Sequence, residues 1–312
     1  DDLFKFFKDI YQKNKSKSFL FVFNTINSSI DFYNKLKEYL KNNANIFYLS
    51  SNIIPKQRIL RINEIKKKLS IDEQVILVST QVVEAGVDLD FDIGIRDIGP
   101  LDSIIQVSGR CNREFKNNIS DVYLVNLENE NGKNFVNMVY GLISPSTCFN
   151  LLKEKNWIME EEFLELIDQY FIEIIKSKSQ EDSTFIFESF LNLRFYDKEK
   201  ILRTTSDFQL VKSNDLYPIF IEIDNEGKGI WEKYIEITNN DKLKPWEKKI
   251  KIYEFKNNFE NYIVSIRLND KNYKIFDIDS EGFLGHVKKC ELDKYYDFET
   301  GFKKQEGIEL IW

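Results

Sequence analysis

The sequence predicts an α/β protein in which a parallel-sheet domain is followed by a helical linker and a smaller α+β accessory domain. Short apolar runs alternate with helix-length segments through residues 1–128, a helical period prevails over residues 129–200, and strand-like runs return over residues 201–312. A chain of 312 residues is also too long for one average domain, so two domains joined by the linker are expected.

A helix and a buried strand begin the first domain. Apolar residues recur at a helical period between Leu3 and Tyr11. Residues 18–23 form a continuous apolar run, which is typical of a parallel strand with both faces covered. Cap residues at positions 27–29 begin an amphipathic helix, whose apolar stripe consists of Ile30, Tyr33, Leu36 and Leu40.

Four further strands are predicted in the first domain. They are residues 45–49, 74–78, 91–95 and 121–125. Pro55 suits the first position of the helix between the first two of these strands. Because helices of about ten to fifteen residues separate the strands, the connections predict right-handed crossovers and a RecA-like parallel sheet.

The rest of the chain changes from helical to mixed patterns. Residues 161–175 predict a linker helix packed on a core, because their apolar side chains recur at i, i+3, i+4 spacing. Those side chains are Phe163, Leu164, Ile167, Tyr170, Phe171 and Ile174. The accessory domain is predicted from strands at residues 217–223, 262–267 and 273–278 and a helix over residues 245–257.

The net charge of −7 argues against a broad surface for nucleic acid. Residues 1–126 carry 18 basic and 16 acidic side chains, and the acidic excess lies beyond them. Any contact with nucleic acid is therefore expected to be local, through hydroxyls, amides and a few cationic side chains.

Cysteine use and apolar runs predict a cytoplasmic protein without a membrane partner. Cys111, Cys148 and Cys290 are far apart and odd in number, so they offer no zinc spacing and indicate a reducing compartment. No apolar run approaches the roughly 20 residues that cross a bilayer. His286 is the single histidine, which excludes His-based triads and paired-histidine metal sites, and no metal site is predicted.

Two arginines follow a glycine in the pattern Gln106-X-X-Gly-Arg-X-X-Arg113. We expect Arg110 and Arg113 to lie three residues apart on one helix, with both guanidiniums pointing the same way. A planar, permanently charged guanidinium suits phosphate oxygens, and such an arginine finger contributes roughly 10³–10⁵ to the rate of phosphoryl transfer. The alternative is a surface helix with Arg–Glu pairs, for example with Glu114.

A second motif covers residues 79–88, after the third strand. Two hydroxyls, of Ser79 and Thr80, are expected at the carboxyl edge of the sheet, where open α/β sheets bind ligands. Thr80 could hold a phosphate without reading base sequence. Gly86 permits a tight turn, and Asp88 beyond it could orient a ribose hydroxyl, a water or an arginine. The alternative is a strand, a turn and a strand with a capped end.

Polar residues also follow the first two strands. Asn24 and Thr25 end the first strand, and Ser50 ends the second, at the same predicted edge of the sheet. Their amide and hydroxyl groups could hold further backbone phosphates. The alternative for Asn24 and Thr25 is an N-cap of the following helix.

The two motifs resemble motifs V and VI of superfamily-two helicases, and within them the helicase-nuclease of type I CRISPR interference. The stretches that carry the resemblance are residues 19–25, 48–58, 75–92, 96–97, 100–106 and 109–113, with weaker likeness at residues 217–222 and 296–302. The variants Glu-Ala-Gly-Val-Asp and Gly-Arg-Cys-Asn-Arg differ from those usual in DEAD-box RNA helicases.

The resemblance implies an ATP-driven 3′→5′ translocase on single-stranded DNA for antiviral defence. It also implies an HD-type nuclease domain and recruitment by a crRNA-guided surveillance complex. The accessory domain would close over the DNA channel. By analogy, Arg110 and Arg113 reach the nucleotide with support from Gly86, Asp88 and Gln106. The residues that would line the DNA path are Asn24, Thr25, Ser50, Thr80 and Gln81.

The sequence lacks two motifs that a complete motor of this class needs. It contains no Gly-X-X-X-X-Gly-Lys-Ser/Thr phosphate loop and no Asp-Glu-X-His metal-holding motif after a strand. Such motors place ATP between two RecA-like lobes. The chain is therefore expected to carry the second lobe, to share ATP with a first lobe that holds Mg²⁺, and to be inactive alone.

Two other functions remain open from the sequence. The chain could be the second lobe of another superfamily-two helicase, acting on other DNA or on RNA. It could also be a lobe without catalytic function that serves as an interaction module.

Overall fold

The computed structural model describes residues 2–41, 43–114, 119–129, 132–177, 181–197, 204–207, 216–268, 277–278, 284–303 and 308–309. The first part of the chain forms five strands and four helices within these residues. In chain order they are α1 (Asp2–Lys13), β1 (Phe19–Val22), α2 (Ile26–Leu40), β2 (Asn45–Leu49), α3 (Pro55–Leu69), β3 (Val75–Ser79), β4 (Ile93–Asp97), α4 (Leu101–Ser108) and β5 (Asp121–Val125).

The five strands form one parallel sheet in the order β2-β3-β1-β4-β5. The α/β fold class and the parallel RecA-like sheet are thus confirmed. Strand β1 is buried along its whole length, because it lies at the centre of the sheet and apolar clusters cover both faces. This burial is the physical reason for the continuous apolar run in the sequence.

Strand β4 starts two residues later than predicted, at Ile93. Phe91, the predicted first residue, instead forms an isolated parallel bridge with Cys111. The strand was predicted to begin at Phe91 because this residue is apolar. Phe91 is buried, but through its pairing with the segment after α4 and not as part of β4. The bridge attaches the chain before β4 to the segment after α4.

Four helices follow: α5 (Phe135–Tyr140), α6 (Ile143–Leu152), α7 (Phe163–Ser177) and α8 (Glu181–Leu191). The predicted linker helix is confirmed as α7, but its predicted buried stripe is partly wrong. Leu166, Tyr170 and Ile174 are buried, whereas Leu164 and Phe171 are exposed. The buried face packs with Leu101 and Ile104 of α4, so the linker covers the helix that precedes the two arginines.

The elements of the C-terminal part are β6 (Leu216–Ile221), α9 (Asn225–Thr238), α10 (Pro245–Tyr253), α11 (Lys256–Glu260), β7 (Ile263–Leu268), β8 (Asp277–Ile278), β9 (Gly285–Val287), α12 (Leu292–Tyr295), β10 (Tyr296–Asp297), β11 (Gly301–Phe302) and β12 (Ile308–Glu309). Five of the strands form a second sheet in the order β12-β7-β6-β9-β8, and β10 and β11 form a separate hairpin. The mixed α+β character is confirmed. Of the predicted strand at 273–278, residues 273–276 lie outside the described residues.

The helix predicted over residues 245–257 is wrong as a single element. It is divided into α10 and α11, because Phe255 leaves the helical conformation and is buried in the core of the C-terminal part. The domain boundaries at residues 128 and 200 remain predictions. Within the described residues, no helix is long and apolar enough to span a membrane.

The C-terminal hairpin of β10 and β11 is attached to the first sheet through the loop after β2. The Phe302 N–H donates to the Asn52 carbonyl at 2.8 Å, and the Asn52 amide donates to the Thr300 carbonyl at 3.2 Å. Gly301 has a φ of +88°, and a Cβ there would lie 2.3 Å from the Asn52 carbonyl oxygen. The close approach of the two backbones therefore requires glycine.

Gly301→Ala is expected to lower the free energy of unfolding by more than about 1–2 kcal/mol, because positive-φ strain adds to a backbone clash. Gly141→Ala is the matched control, since Gly141 has a φ of +72° and nothing within 4 Å of its Cβ position. Urea unfolding followed by circular dichroism measures both variants. Equal losses would show that the contact with Asn52 contributes nothing.

Candidate functional site

The loop after β3 forms one wall of the candidate site and runs from the carboxyl end of β3 to the amino end of β4. A short 3-10 turn over residues Gln81–Val83 follows Thr80. Gly86 then adopts a φ of +73° with open space at its Cβ position, so it makes the turn that leads to Asp88. Asp88 and Gly86 are exposed, whereas Val87 between them is buried and anchors the turn.

The two arginines of the second wall do not share a helix, which corrects the expectation from the sequence. Helix α4 ends at Ser108 with Gly109 as its C-cap. The chain then turns through Asn112, which has a φ of 54°. The Phe91 N–H donates to the Arg110 carbonyl at 2.9 Å and the Asn112 N–H donates to the Phe91 carbonyl at 3.0 Å. This long-range pairing ends the helix before both arginines.

Arg110 holds the loop after β3 in place. Its Nε donates to the Val83 carbonyl at 3.1 Å, and its Nη2 donates to the Glu84 carbonyl at 2.7 Å. Burial lowers the pKa of Arg110 below its usual value, but a guanidinium remains charged at neutral pH. These bonds occupy two of its donors, so contact with a nucleotide would use the remaining N–H groups or exchange the bonds.

Arg113 lies at the surface beside Asp88. Its Nη1 is 2.8 Å from Asp88 Oδ1, and its side chain is 44% exposed. Asp88 also pairs with Lys66, at 3.1 Å. The hydrogen bond from Lys66 and the charge of Arg113 lower the pKa of Asp88, which therefore stays ionised. The sequence allowed a ribose hydroxyl, a water or an arginine as the partner of Asp88, and the structure shows an arginine.

Asp90 fixes the backbone under Arg113. Its two carboxylate oxygens accept from the N–H groups of Arg113 at 2.7 Å and Glu114 at 3.1 Å. Gln106 lies exposed on the last turn of α4, before the capping Gly109. The loop and the segment after α4 therefore present Gly86, Asp88 and Arg113 together, with Arg110 beneath them. The proposed roles of these residues remain predictions.

A buried arginine that the sequence reasoning missed connects the elements of the site. Arg96 on β4 is fully buried. Its Nη1 donates to Asn24 Oδ1 at 2.7 Å, and its Nη2 donates to Ser103 Oγ at 2.8 Å and to Glu84 Oε1 at 3.0 Å. The signal was an arginine directly after the predicted strand at residues 91–95, between Ile95 and Asp97-Ile98, since a charge among apolar residues needs partners.

Asp97 completes this network from the next position of β4. Its carboxylate accepts from Asn24 Nδ2 at 2.7 Å and from the Leu127 N–H at 3.1 Å. Burial raises the pKa of Asp97 to about 7, although the two N–H donors and Arg96 favour the ionised form. Asn24 is fully buried and has its side-chain oxygen and nitrogen bonded to Arg96 and Asp97.

The five residues predicted to line a DNA path do lie after β1, β2 and β3, but their exposure differs. Asn24, Ser50 and Thr80 are buried. Thr25 is half-buried and caps α2, since its Oγ1 accepts from the Ser28 N–H at 3.3 Å. Gln81 is half-buried, and its Nε2 donates to the Asn24 carbonyl at 3.0 Å. Thr25 and Gln81 are thus the members nearest to solvent.

Ser50 and Ser79 use their hydroxyls inside the protein. Ser50 Oγ accepts from the Asn52 N–H at 3.3 Å, and Ser79 Oγ donates to the Leu49 carbonyl at 2.8 Å. The Thr80 N–H also donates to the Leu49 carbonyl, at 3.2 Å. We therefore interpret Ser50 and Ser79 as groups that shape the edge. Direct contact between Asn24 and a DNA strand would require its internal bonds to break.

Comparison with known proteins gives a family match over the first part of the chain. Residues 15–116 match a family described as CRISPR-associated nuclease/helicase Cas3, C-terminal. The CRISPR-associated nuclease/helicase Cas3 of Methanothermobacter thermautotrophicus is 36% identical over 104 residues, which is 33% of this chain and 12% of that protein. The Cas3 of Haloferax volcanii is 52% identical over 69 residues, or 22% of this chain and 7% of that protein.

Solved structures extend the similarity of fold beyond residue 116. T. fusca Cas3 bound to AMPPNP superposes with a TM-score of 0.59 at 14% identity, covering 90% of this chain and 37% of that one. A chain of a CRISPR RNA-guided surveillance complex, pre-nicking, gives a TM-score of 0.53 at 15% identity, covering 90% and 39%. This chain therefore spans less than half of these relatives, and at such identity the superpositions show the fold.

Arg96→Met is expected to lower the free energy of unfolding by about 3–5 kcal/mol, because it leaves the buried Glu84 carboxylate without its cation. Adding Glu84→Gln should recover part of this loss, since the remaining group is neutral. Urea unfolding of the two single variants and the double variant measures the coupling. Lys66→Met removes an exposed cation and is the control. Losses that simply add would contradict a direct Arg96–Glu84 interaction.

Proposed function

We propose that this chain, whose residues 15–116 match the family described as CRISPR-associated nuclease/helicase Cas3, C-terminal, supplies the second lobe of an ATP-dependent translocase on single-stranded DNA. The observation that carries the proposal is the exposed Arg113 guanidinium, paired with Asp88 in the loop that connects β3 to β4 of a parallel sheet. An exposed cation on this surface can reach a phosphate held by a facing lobe.

Arg113 is the proposed arginine finger. ATP bound to the first lobe supplies the phosphoryl group, and that lobe holds Mg²⁺. Arg113 fits a phosphate because its guanidinium is accessible and its present partner, Asp88, is itself exposed. Exchange of Asp88 for a phosphate replaces one charge-assisted hydrogen bond by another. Gly86 and Gln106 complete the proposed rim of the nucleotide site.

Arg110 has a different part in the proposal. Its guanidinium bonds to the carbonyls of Val83 and Glu84, and Glu84 in turn bonds to Arg96 through its carboxylate. Arg110 therefore positions the loop that carries Asp88, with its remaining N–H groups available to the nucleotide. This arrangement connects occupation of the nucleotide site to the loop after β3.

The proposed DNA path follows the ends of β1, β2 and β3. Thr25 and Gln81 offer a hydroxyl and an amide to the sugar-phosphate backbone, while Asn24, Ser50 and Thr80 shape the surface beneath. Contacts of this kind position a strand without reading its sequence, as a translocase requires. Gln81 Oε1 is buried without a hydrogen-bond partner within the described residues, whereas its Nε2 donates to the Asn24 carbonyl and the Tyr140 hydroxyl, so donation from this amide to a phosphate would exchange one of these bonds.

The proposed partners are single-stranded DNA, the first RecA-like lobe, an HD-type nuclease domain and a crRNA-guided surveillance complex. The superposition on a chain of such a complex supports the last of these. The function in antiviral defence rests on the family of residues 15–116.

Arg113→Ala is expected to lower the turnover of ATP by about 10³-fold or more when the chain is combined with the nucleotide-binding lobe. The loss follows from removal of the cation that stabilises the transferring phosphoryl group. Steady-state ATP hydrolysis at saturating single-stranded DNA measures it.

Lys66→Ala is the matched control, because Lys66 also pairs with Asp88 and is exposed. It should retain most of the activity. Equal loss in the two variants would assign the effect to Asp88 and the loop. An unchanged rate with Arg113→Ala would exclude the finger and favour a lobe without catalytic function.

A further inference from the structure

Helix α10 presents an apolar stripe to solvent, on the side away from the protein core. One face of the helix carries three apolar residues and one lysine at i, i+3, i+4 and i+7, which are Trp246, Lys249, Ile250 and Tyr253. Trp246 is 56% exposed, Ile250 54% and Tyr253 75%. Ile252, on another side of the helix, packs against the core of the C-terminal part.

The opposite side of α10 is firmly attached, so the stripe has a fixed orientation. Lys248 Nζ donates to the Thr238 carbonyl at the end of α9, which attaches the helix. The Lys244 N–H donates to Glu247 at 2.7 Å and caps the start of α10. Phe255 directly after the helix is buried in the core. The exposed aromatic rings are therefore carried by a rigid support, as a stacking surface requires.

Cations surround this stripe. Residues 242–256 contain six lysines and two glutamates, in a chain with a net charge of −7. Lys242, Lys249 and Lys251 are exposed. Their ammonium groups form no ion pair with any residue that the structure describes. A local positive field thus coincides with exposed aromatic rings in an otherwise acidic part of the protein.

We propose that this surface, named the α10 face and formed by Trp246, Lys249, Ile250 and Tyr253 with Lys242 and Lys251, binds a single strand of nucleic acid. Trp246 and Tyr253 stack on bases, and the lysines contact phosphates. The two rings are separated by about 10 Å along the helix axis, or roughly three base rises. The α10 face belongs to the C-terminal part and is distinct from the carboxyl edge of the first sheet.

Charge and shape favour nucleic acid over the other occupants of such a surface. An acidic protein partner would use the lysines but has no need of two flat rings with accessible faces. Binding to a lipid surface scales with the apolar area that it buries, and three residues on a nine-residue helix offer little of it. Bases supply flat faces and phosphates supply anions at the same spacing, so one ligand satisfies both observations.

Binding of a fluorescein-labelled 20-mer of deoxythymidylate to the 312-residue chain, followed by fluorescence anisotropy, tests the proposal. Trp246→Ala and Tyr253→Ala should each weaken binding at least about fivefold, which corresponds to the lower end of the stacking contribution of one base. Lys249→Ala should reduce the slope of log affinity against log salt by about 0.7. Circular dichroism verifies that each variant is folded.

Trp157→Ala is the matched control, because Trp157 is 75% exposed but lies in the helical region between the two sheets. It should bind the oligonucleotide as the parent chain does. Equal affinity of Trp246→Ala and Trp157→Ala would overturn the proposal, and so would absence of binding by the parent chain. Polyglutamate serves as a probe for an acidic protein partner. If Trp246→Ala and Tyr253→Ala lost binding to polyglutamate but kept binding to the oligonucleotide, the α10 face would be assigned to a protein partner.

The outcome is independent of the proposed translocase function. Lys66→Ala changes an exposed ion pair of the first domain, leaves the α10 face intact and should bind the oligonucleotide normally. A failure of the arginine finger therefore shows in ATP hydrolysis alone, and a failure of the α10 face shows in strand affinity.

Discussion

A fully buried guanidinium at the carboxyl edge of the sheet is the constraint on which the candidate site depends. Arg96 cannot be left without partners in an apolar core, because an unpaired buried charge costs several kcal/mol. Asn24, Glu84 and Ser103 supply the partners, and they come from three separate elements of the first sheet domain. The positions of β1, of the loop after β3 and of α4 are thus set relative to one another by one side chain.

Three arginines of the site differ in their exposure and in the groups that they contact. Arg96 fixes the framework from inside, Arg110 bonds to the backbone carbonyls of the loop, and Arg113 pairs with Asp88 at the surface. Glu84 connects the first two, since its carboxylate bonds to Arg96 and its carbonyl to Arg110. Arginine therefore joins the buried elements at Arg96 and forms a solvent-exposed ion pair at Arg113.

The strands of the first domain were predictable because burial on both faces demands continuous apolar runs, as in β1. The sequence indicated which loops carry the candidate residues, but it indicated neither their geometry nor the part of Arg96. The pairing of Phe91 with the segment after α4 joins residues distant in sequence, and no local period indicates that it ends the helix before Arg110. Similarly, the burial of Asn24 follows from Arg96, whose side chain had to be placed before the exposure of its partners could be known.

The contact between the β10–β11 hairpin and the first sheet has a consequence for how the two can move. The β10–β11 hairpin touches the loop after β2 backbone to backbone at Gly301, and Arg61 of α3 also donates to the Phe298 and Glu299 carbonyls. Because these contacts join backbone to backbone, a displacement of the β10–β11 hairpin is expected to displace the loop after β2, which lies beside the ends of β1 and β3.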